Sequence, residues 1–434
     1  MRNRYRAAFE PPGSLFFSLS GLLARLPVAM IGLALVLVLS ADGNYTRAGT
    51  LVGVLALASC VGGPAQGRVA DRFGQARILL LTAAAFGLSL TAMILTLHAH
   101  GSFGLLIVLA AVVGAASPTT GTLARSRWSG LHPAGDRLQT AFAVESVFDE
   151  VVFVTGPVLT TVLATQVNAL LPLVIAVVTG VAGSVLMALA RTTEPHRDPV
   201  SGPGGAPAAA RPKVGWAGLA PLLLVQLTVG SIFGGIDVVT VAAASAAGER
   251  GTSGLILACF SGGSLVAGVV VGAMRWRMSP MRRVRVCVSL LGLATLLLPF
   301  VPNVRLLPIA GFLVGVTVSP SLVALAAAVQ ARTQAARFTE AMAVSTAFLV
   351  AGFSLGSASA GHLVDAVGPH RAFWQVPAAG LAAATVVLLP PVLRRIRRLT
   401  RDHDAAAPEQ HASEPTGAEP TGAEPSRELS RLGS

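Results

Sequence analysis

Charged residues are scarce in this chain: they make up 12% of 434 residues, against 53% apolar, and the mean hydropathy is +0.69. A soluble globular chain carries about 25% charge, so the deficit excludes an ordinary cytosolic enzyme. Lysine is almost missing. Lys213 stands alone against 31 arginines, an imbalance that belongs to the codon bias of a GC-rich bacterial genome and carries no mechanism. Because Lys213 sits in PKVG, no GxxxxGK[ST] motif exists, which excludes an ATP-driven permease of the P-loop kind. Cys60, Cys259 and Cys287 lie inside or at the ends of apolar runs, with no CxxC or Cys/His spacing, and no HExxH accompanies them. Neither an enzyme, a cofactor nor a metal is expected. The net charge of +12 would suit nucleic acid only on a solvated face, whereas these arginines fall in short clusters between apolar runs, so no nucleic-acid partner is expected.

What the chain has in quantity is long apolar sequence. A bilayer core of about 30 Å needs roughly 20 apolar residues in helix. Twelve such runs occur, at 15–40, 46–66, 76–98, 102–124, 139–164, 168–190, 217–245, 252–274, 285–302, 305–329, 339–364 and 373–393. The fold class they imply is an all-α polytopic membrane protein with the lipid bilayer as its partner. The first run follows Arg2, Arg4 and Arg6 but is too long for a signal peptide, and eleven more follow it. Of the basic residues, 27 fall on the side shared by both termini and four (Arg47, Arg250, Arg305 and Arg371) on the other, with Arg25 left inside the first span. Both termini are therefore expected in the cytoplasm, and the chain in the bacterial plasma membrane.

The longest internal break, 191–216, is rich in Pro, Gly and Ala and reads as a flexible cytoplasmic linker. It divides a six-helix bundle at 15–190 from another at 217–398. Residues 1–14 form a cytoplasmic N-terminus, and 399–434, which carries a repeated TGAEP, reads as a disordered cytoplasmic tail. The bundles are also related in sequence. Ser117-Pro118 matches Ser319-Pro320 at an offset of 202, and AFAVESVFDEVVFVTG (141–156) matches AMAVSTAFLVAGFSLG (341–356) at an offset of 200. Such a parallel duplication builds alternating-access transporters whose substrate site lies between the halves.

Between spans two and three stands Gly67-Arg-Val-Ala-Asp71-Arg72-Phe-Gly74-Gln-Ala-Arg77. Local chemistry predicts that Gly67 ends a helix, Asp71 caps the next turn and Gly74 permits a tight bend. With the twelve spans and the duplication, this loop resembles the signature of the major facilitator superfamily over about residues 14–395. The resemblance implies that Gly67, Asp71, Arg72, Gly74 and Arg77 belong to a cytoplasmic gate that latches the halves in one transport state. The second copy, Gly272 to Arg282, has Trp276 in place of the acid, so only the first copy makes the charged latch.

Span five carries Glu145, Asp149 and Glu150, and each ionised carboxylate near mid-bilayer costs about 2.5–3.5 kcal/mol on insertion scales. The duplicated span eleven has Ser345, Leu349 and Val350 there, so the fold does not demand the acids. Glu145 and Asp149 share one helical face, and Arg25 lies at the same depth within about 6 Å. An Arg25 pair with Glu145 or Asp149 is expected. Two roles stay open for the acids, a structural pair or proton coupling through Asp149 or Glu150. Asp237, behind Gly234-Gly235 in span seven, reads either as a solvated, cavity-facing acid or as the partner of an outer-loop arginine.

Pro118 and Pro320, each after a serine, free a carbonyl and allow bending in spans four and ten, which line the central path in the family resembled. Gly156-Pro157 resembles the Gly-Pro pair of the family's antiporters, although Val152 and Thr160-Thr161 stand where small glycines are expected. Span four lacks the mid-helix arginine of many proton-coupled drug exporters, since Arg125 and Arg127 arrive only at its cytoplasmic end. Aromatics at 5% and little fixed charge predict a largely apolar path. The function expected is secondary transport of a small, amphiphilic organic solute by a monomer, with export in exchange for protons ahead of uptake. A transport-dead sensor or scaffold is the alternative of a different class.

Overall fold

The computed structural model describes residues 9–132, 136–194, 216–273, 278–333 and 338–389; the tail, most of the linker and Trp276 lie outside them. No strand occurs among the described residues, and twelve helices are long and apolar enough to cross a membrane. They are Ser14–Leu39, Tyr45–Ala70, Gln75–His98, Phe103–Leu131, Thr140–Gln166, Leu171–Leu189, Gly218–Ala246, Thr252–Val271, Pro280–Phe300, Val304–Arg332, Ala341–Val367 and Pro369–Leu389, spans one to twelve. The chain is thus a multi-pass membrane protein. Its helices form because they satisfy every backbone group internally, as hydrocarbon requires.

Packing repeats with the chain. Span one packs on span five, and span seven on eleven; span two packs on four, and eight on ten. Between these sets, span two meets span eleven and span eight meets span five, a pair of contacts exchanged by the same six-span shift. Small residues permit the closest approaches. Gly230 and Gly234 of span seven face the backbone of Leu349 and Phe353, while Gly352 and Gly356 of span eleven face that of Leu227 and Ser231. Two interlocked GxxxG ridges therefore stand where lipid offers no hydrophobic drive and van der Waals contact holds helices together.

Close glycine contacts line both seams toward one end. Gly49 meets Ser357, Gly53 meets Ser354 and Gly361 meets Tyr45 in the seam of spans two and eleven. In the other seam Gly254 meets Pro157 and Thr161, with Thr161 Oγ1 3.5 Å from Ser253 Oγ. All of these residues belong to the span ends opposite the N-terminus. Toward the terminus side, a side chain added at Gly67 or Gly262 would meet nothing within 4 Å. Among the described residues, the close glycine contacts between the halves lie on the far side, and Cys60 Sγ, 3.8 Å from Ala347 O, continues the seam of spans two and eleven inward.

Two local expectations are corrected. Gly67 does not end a helix: the helix runs through it to Phe73, and Gly74 ends it with φ +94°, a conformation that favours glycine. A glycine inside a helix costs about 1 kcal/mol, too little to stop one without a following breaker. Asp71 consequently sits in the last turn of that helix, not at the start of the next, and its side chain lies outside the described residues. Span three has no cap of its own, and its Ala76 N–H donates instead to Glu194 Oε1 at 3.3 Å.

Candidate functional site

Span four is where the bundle departs from regular helix. The chain is helical over Phe103–Ala116 and Thr120–Leu131 and breaks at Ser117-Pro118-Thr119, because proline supplies no N–H and crowds the preceding turn. The freed carbonyls are met by a residue that sequence reasoning did not single out. Gln66 of span two donates through Nε2 to Ala115 O at 2.8 Å and to Ser117 O at 3.0 Å, and its Oε1 accepts from Thr119 Oγ1 at 3.3 Å. Span ten behaves differently: helix Leu307–Arg332 runs unbroken through Pro320, with Ser319 Oγ accepting from Ser264 Oγ at 3.3 Å. The Ser-Pro pairs thus produce a break in one half and a tolerated proline in the other.

The second segment of span four brings Arg125 and Trp128 against span five. Arg25, 5% exposed, is ion-paired to Glu145 Oε2 through Nη2, and its Nη1 lies 3.1 Å from Asp149 Oδ1. Asp149 also accepts from Arg125 Nη2 through Oδ2 at 2.7 Å. Glu145, fully buried, takes two further hydrogen bonds at Oε1, from Ser18 Oγ at 2.6 Å and Trp128 Nε1 at 2.8 Å. A buried ion pair is tolerated only when extra hydrogen bonds satisfy its remaining lone pairs, which is the service Ser18 and Trp128 provide. Trp128 is itself fixed between Phe17, at a ring separation of 4.8 Å, and the stacked His132 at 5.8 Å.

Arg125, at the terminus-side end of span four, adds a second arginine to the expected pair, so two arginines hold two carboxylates on the Arg25 face. Arg127 points elsewhere, donating to Gln75 Oε1 at 2.9 Å, Ala190 O at 2.8 Å and Thr193 Oγ1 at 3.0 Å. The second half carries a neutral equivalent. Gln226 Nε2 donates to Ser345 Oγ at 3.0 Å, and these residues stand at offsets of 201 and 200 from Arg25 and Glu145.

Glu150 is the acid of span five that the network leaves out. It is half-buried and makes no hydrogen bond or ion pair among the described residues. Pro157 and Thr161 lie seven and eleven residues beyond it, so all three share the face that meets span eight at Gly254 farther along. Glu150 occupies that face on the terminus side of the closed seam. Asp237 is likewise half-buried and unpaired among the described residues. Three of the four outer-side arginines read as its possible partners are engaged elsewhere: Arg250 with Ser40 O, Arg305 with Glu249 at 2.8 Å, and Arg47 over the Phe103 ring at 5.4 Å.

Gly156 lies against Ala29 of span one, and the helix continues through Pro157. In the signature loop Arg72 and Arg77 are exposed. No group of three or more His, Cys, Asp or Glu that could hold a metal ion occurs among the described residues.

The family model described as Major Facilitator Superfamily matches residues 17–304 and 227–428. No curated protein matches. Solved structures with a similar fold include a peptide transporter POT in complex with sulfate, at a TM-score of 0.71 and 14% identity over 90% of this chain and 96% of that one. A POT family transporter in complex with 5-aminolevulinic acid aligns at 0.69 and 12% over 88% and 96%, and the nucleoside transporter NupG at 0.66 and 12% over 87% and 98%. The repeated helix packing and the family match together establish that this chain belongs to the Major Facilitator Superfamily of membrane transporters, and is not an enzyme.

Proposed function

We propose that the protein exports a small, amphiphilic organic solute across the bacterial plasma membrane by alternating access, in exchange for protons that enter through Glu150. The observation that carries this reading is the isolation of Glu150: Asp149 and Glu145 are saturated by Arg25, Arg125, Ser18 and Trp128, whereas Glu150, half-buried, has no partner among the described residues. A carboxylate in such a place must be wetted or protonated, and it can change its charge without breaking the network. The proton would be taken up from one side and released to the other as the seams open and close. The Arg25–Glu145 pair is then the structural element, and the gate residues Gly67, Asp71, Arg72, Gly74 and Arg77 act on the terminus side. Asp237 is a second wetted acid in the opposite half.

The amphiphilic solute follows from the apolar composition of the spans. Uptake is the competing direction, and the solved structures of similar fold include a nucleoside transporter and a peptide transporter. A thermal-shift screen of purified protein against metabolites and antibiotics identifies the solute, because binding stabilises the folded state by mass action. Flux of that solute in oriented vesicles under an imposed proton gradient then assigns direction: export predicts accumulation inside everted vesicles, and accumulation only in right-side-out vesicles would overturn it.

A further inference from the structure

The far-side ends of spans one and two form a hairpin whose helix termini lack complementary charge of their own. Span one has no basic residue in its last turn. Span two has no acidic residue in its first turn, and its N-cap residue Asn44 makes no side-chain cap. The first two helical N–H groups, those of Tyr45 and Thr46, are nevertheless satisfied: they donate to Asp365 Oδ1 at 3.1 Å and Oδ2 at 2.6 Å. Asp365 belongs to span eleven, in the other half. At the neighbouring end of span one, Ser40 O accepts from Arg250 Nη2 at 3.2 Å, and Arg250 lies between spans seven and eight, again in the other half.

The signs are those a helix macrodipole selects. An anion sits on the positive N-terminus of span two and a cation on the negative C-terminus of span one. Because both charges come from the opposite half, the contacts exist only while the far side is shut. Opening that side would draw Asp365 off two N–H groups and Arg250 off a carbonyl.

We propose that Asp365 and Arg250 form a clamp of helix-end charges that holds the far-side gate of this transporter closed and sets how often it opens. The clamp rests on the alternating-access reading but not on the solute or the proton route. It differs from the signature loop in place and in kind, since it lies at the opposite membrane face and pairs charges with helix ends.

Ser354 reports on the clamp. It is half-buried, and its side chain faces Gly53 of span two across the seam between the halves, so a thiol there is labelled faster when the seam opens. In a background carrying C60S, C259S and C287A, the S354C protein is purified in detergent and its labelling by a bulky maleimide is timed. Removing an N-cap acceptor or a helix-end charge shifts an equilibrium by about fivefold and about threefold respectively. D365A should therefore speed labelling about fivefold and R250A about threefold, and the double variant should approach the product, with melting temperatures held close to the parent. If D365A fails to fold, D365N keeps an acceptor, loses the charge and should still speed labelling about twofold. Labelling at the parental rate in the folded variants overturns the clamp, as does a fall in melting temperature without faster labelling. The measurement needs no solute and no gradient, so its outcome is independent of whether the export reading stands.

Discussion

Asp149 Oδ2 accepts from Arg125 Nη2 at 2.7 Å, which joins the broken segment of span four to span five and completes a four-member charge network with Arg25 and Glu145. Both side chains are about one-third exposed, at 35% and 32%. Ion pairs with that access to solvent contribute about 0–1 kcal/mol. R125Q should therefore melt within a few degrees of the parent, yet lower turnover several-fold, because it removes one of the two ties, Arg125–Asp149 and Trp128–Glu145, that hold the segment beyond Pro118 to span five. Parallel thermal melts and flux assays check both halves of the statement.

The buried pair behaves oppositely. Removing Arg25 strands a fully buried Glu145 carboxylate, and an uncompensated charge of that kind costs about 3–5 kcal/mol. R25L should lower yield and melting temperature sharply. R25L/E145Q should recover most of the loss, since Asp149 keeps Arg125 and the glutamine still accepts from Ser18 and Trp128. Melting of the three proteins in one detergent decides it, and a double variant no better than R25L would count against the pairing.

Gln66 offers a test of the break in span four. Leucine at this position leaves Ala115 O and Ser117 O without their donor inside the bilayer, at about 1–3 kcal/mol. Q66L should be destabilised by that amount. Q66E should fare no better, because an ionised carboxylate cannot donate to carbonyls. Unfolding in graded denaturing detergent gives the comparison.

Much of this architecture was legible in the sequence because the bilayer imposes a simple rule: length of apolar run sets the spans, and the 200-residue offset between 141–156 and 341–356 marks the duplication. The Arg25–Glu145 pair was legible from depth along two helices. Arg125 was not, because the break at Pro118 continues span four to Leu131, past the end that apolar character alone gives. Trp128 and Ser18 escaped notice for a related reason, since a lone indole or hydroxyl in an apolar run gives no signal until its partner's position is known. Gln66 could have been found as an isolated amide in an apolar run. The interlocked GxxxG pairs at 230/234 and 352/356 are visible in the sequence as spacing, but spacing alone does not say which helix each faces. Glu194 and Asp365 cap helices distant in sequence, which no local pattern encodes.

In the signature loop, D71N should leave the protein folded and membrane-inserted while slowing turnover, because the change removes one charge from the proposed latch. Expression and melting temperature should match the parent. Wild-type flux in D71N would remove Asp71 from the gate. The N-in, C-in arrangement on which the gate's sidedness depends is checked by reporter fusions at residues 205 and 410, both of which should lie in the cytoplasm.

The most direct test of the account concerns Glu150. Proteoliposomes carrying wild-type protein or E150Q are loaded for transport of the solute found by thermal shift, with and without an imposed proton gradient. Moving one elementary charge across 100 mV is worth about 2.3 kcal/mol, enough to drive accumulation more than tenfold. The wild type should concentrate solute only when the gradient is present. E150Q should lose that accumulation while still binding solute and exchanging it across the membrane without a gradient. Gradient-driven accumulation in E150Q equal to that of the wild type would contradict the claim that Glu150 carries the coupling proton.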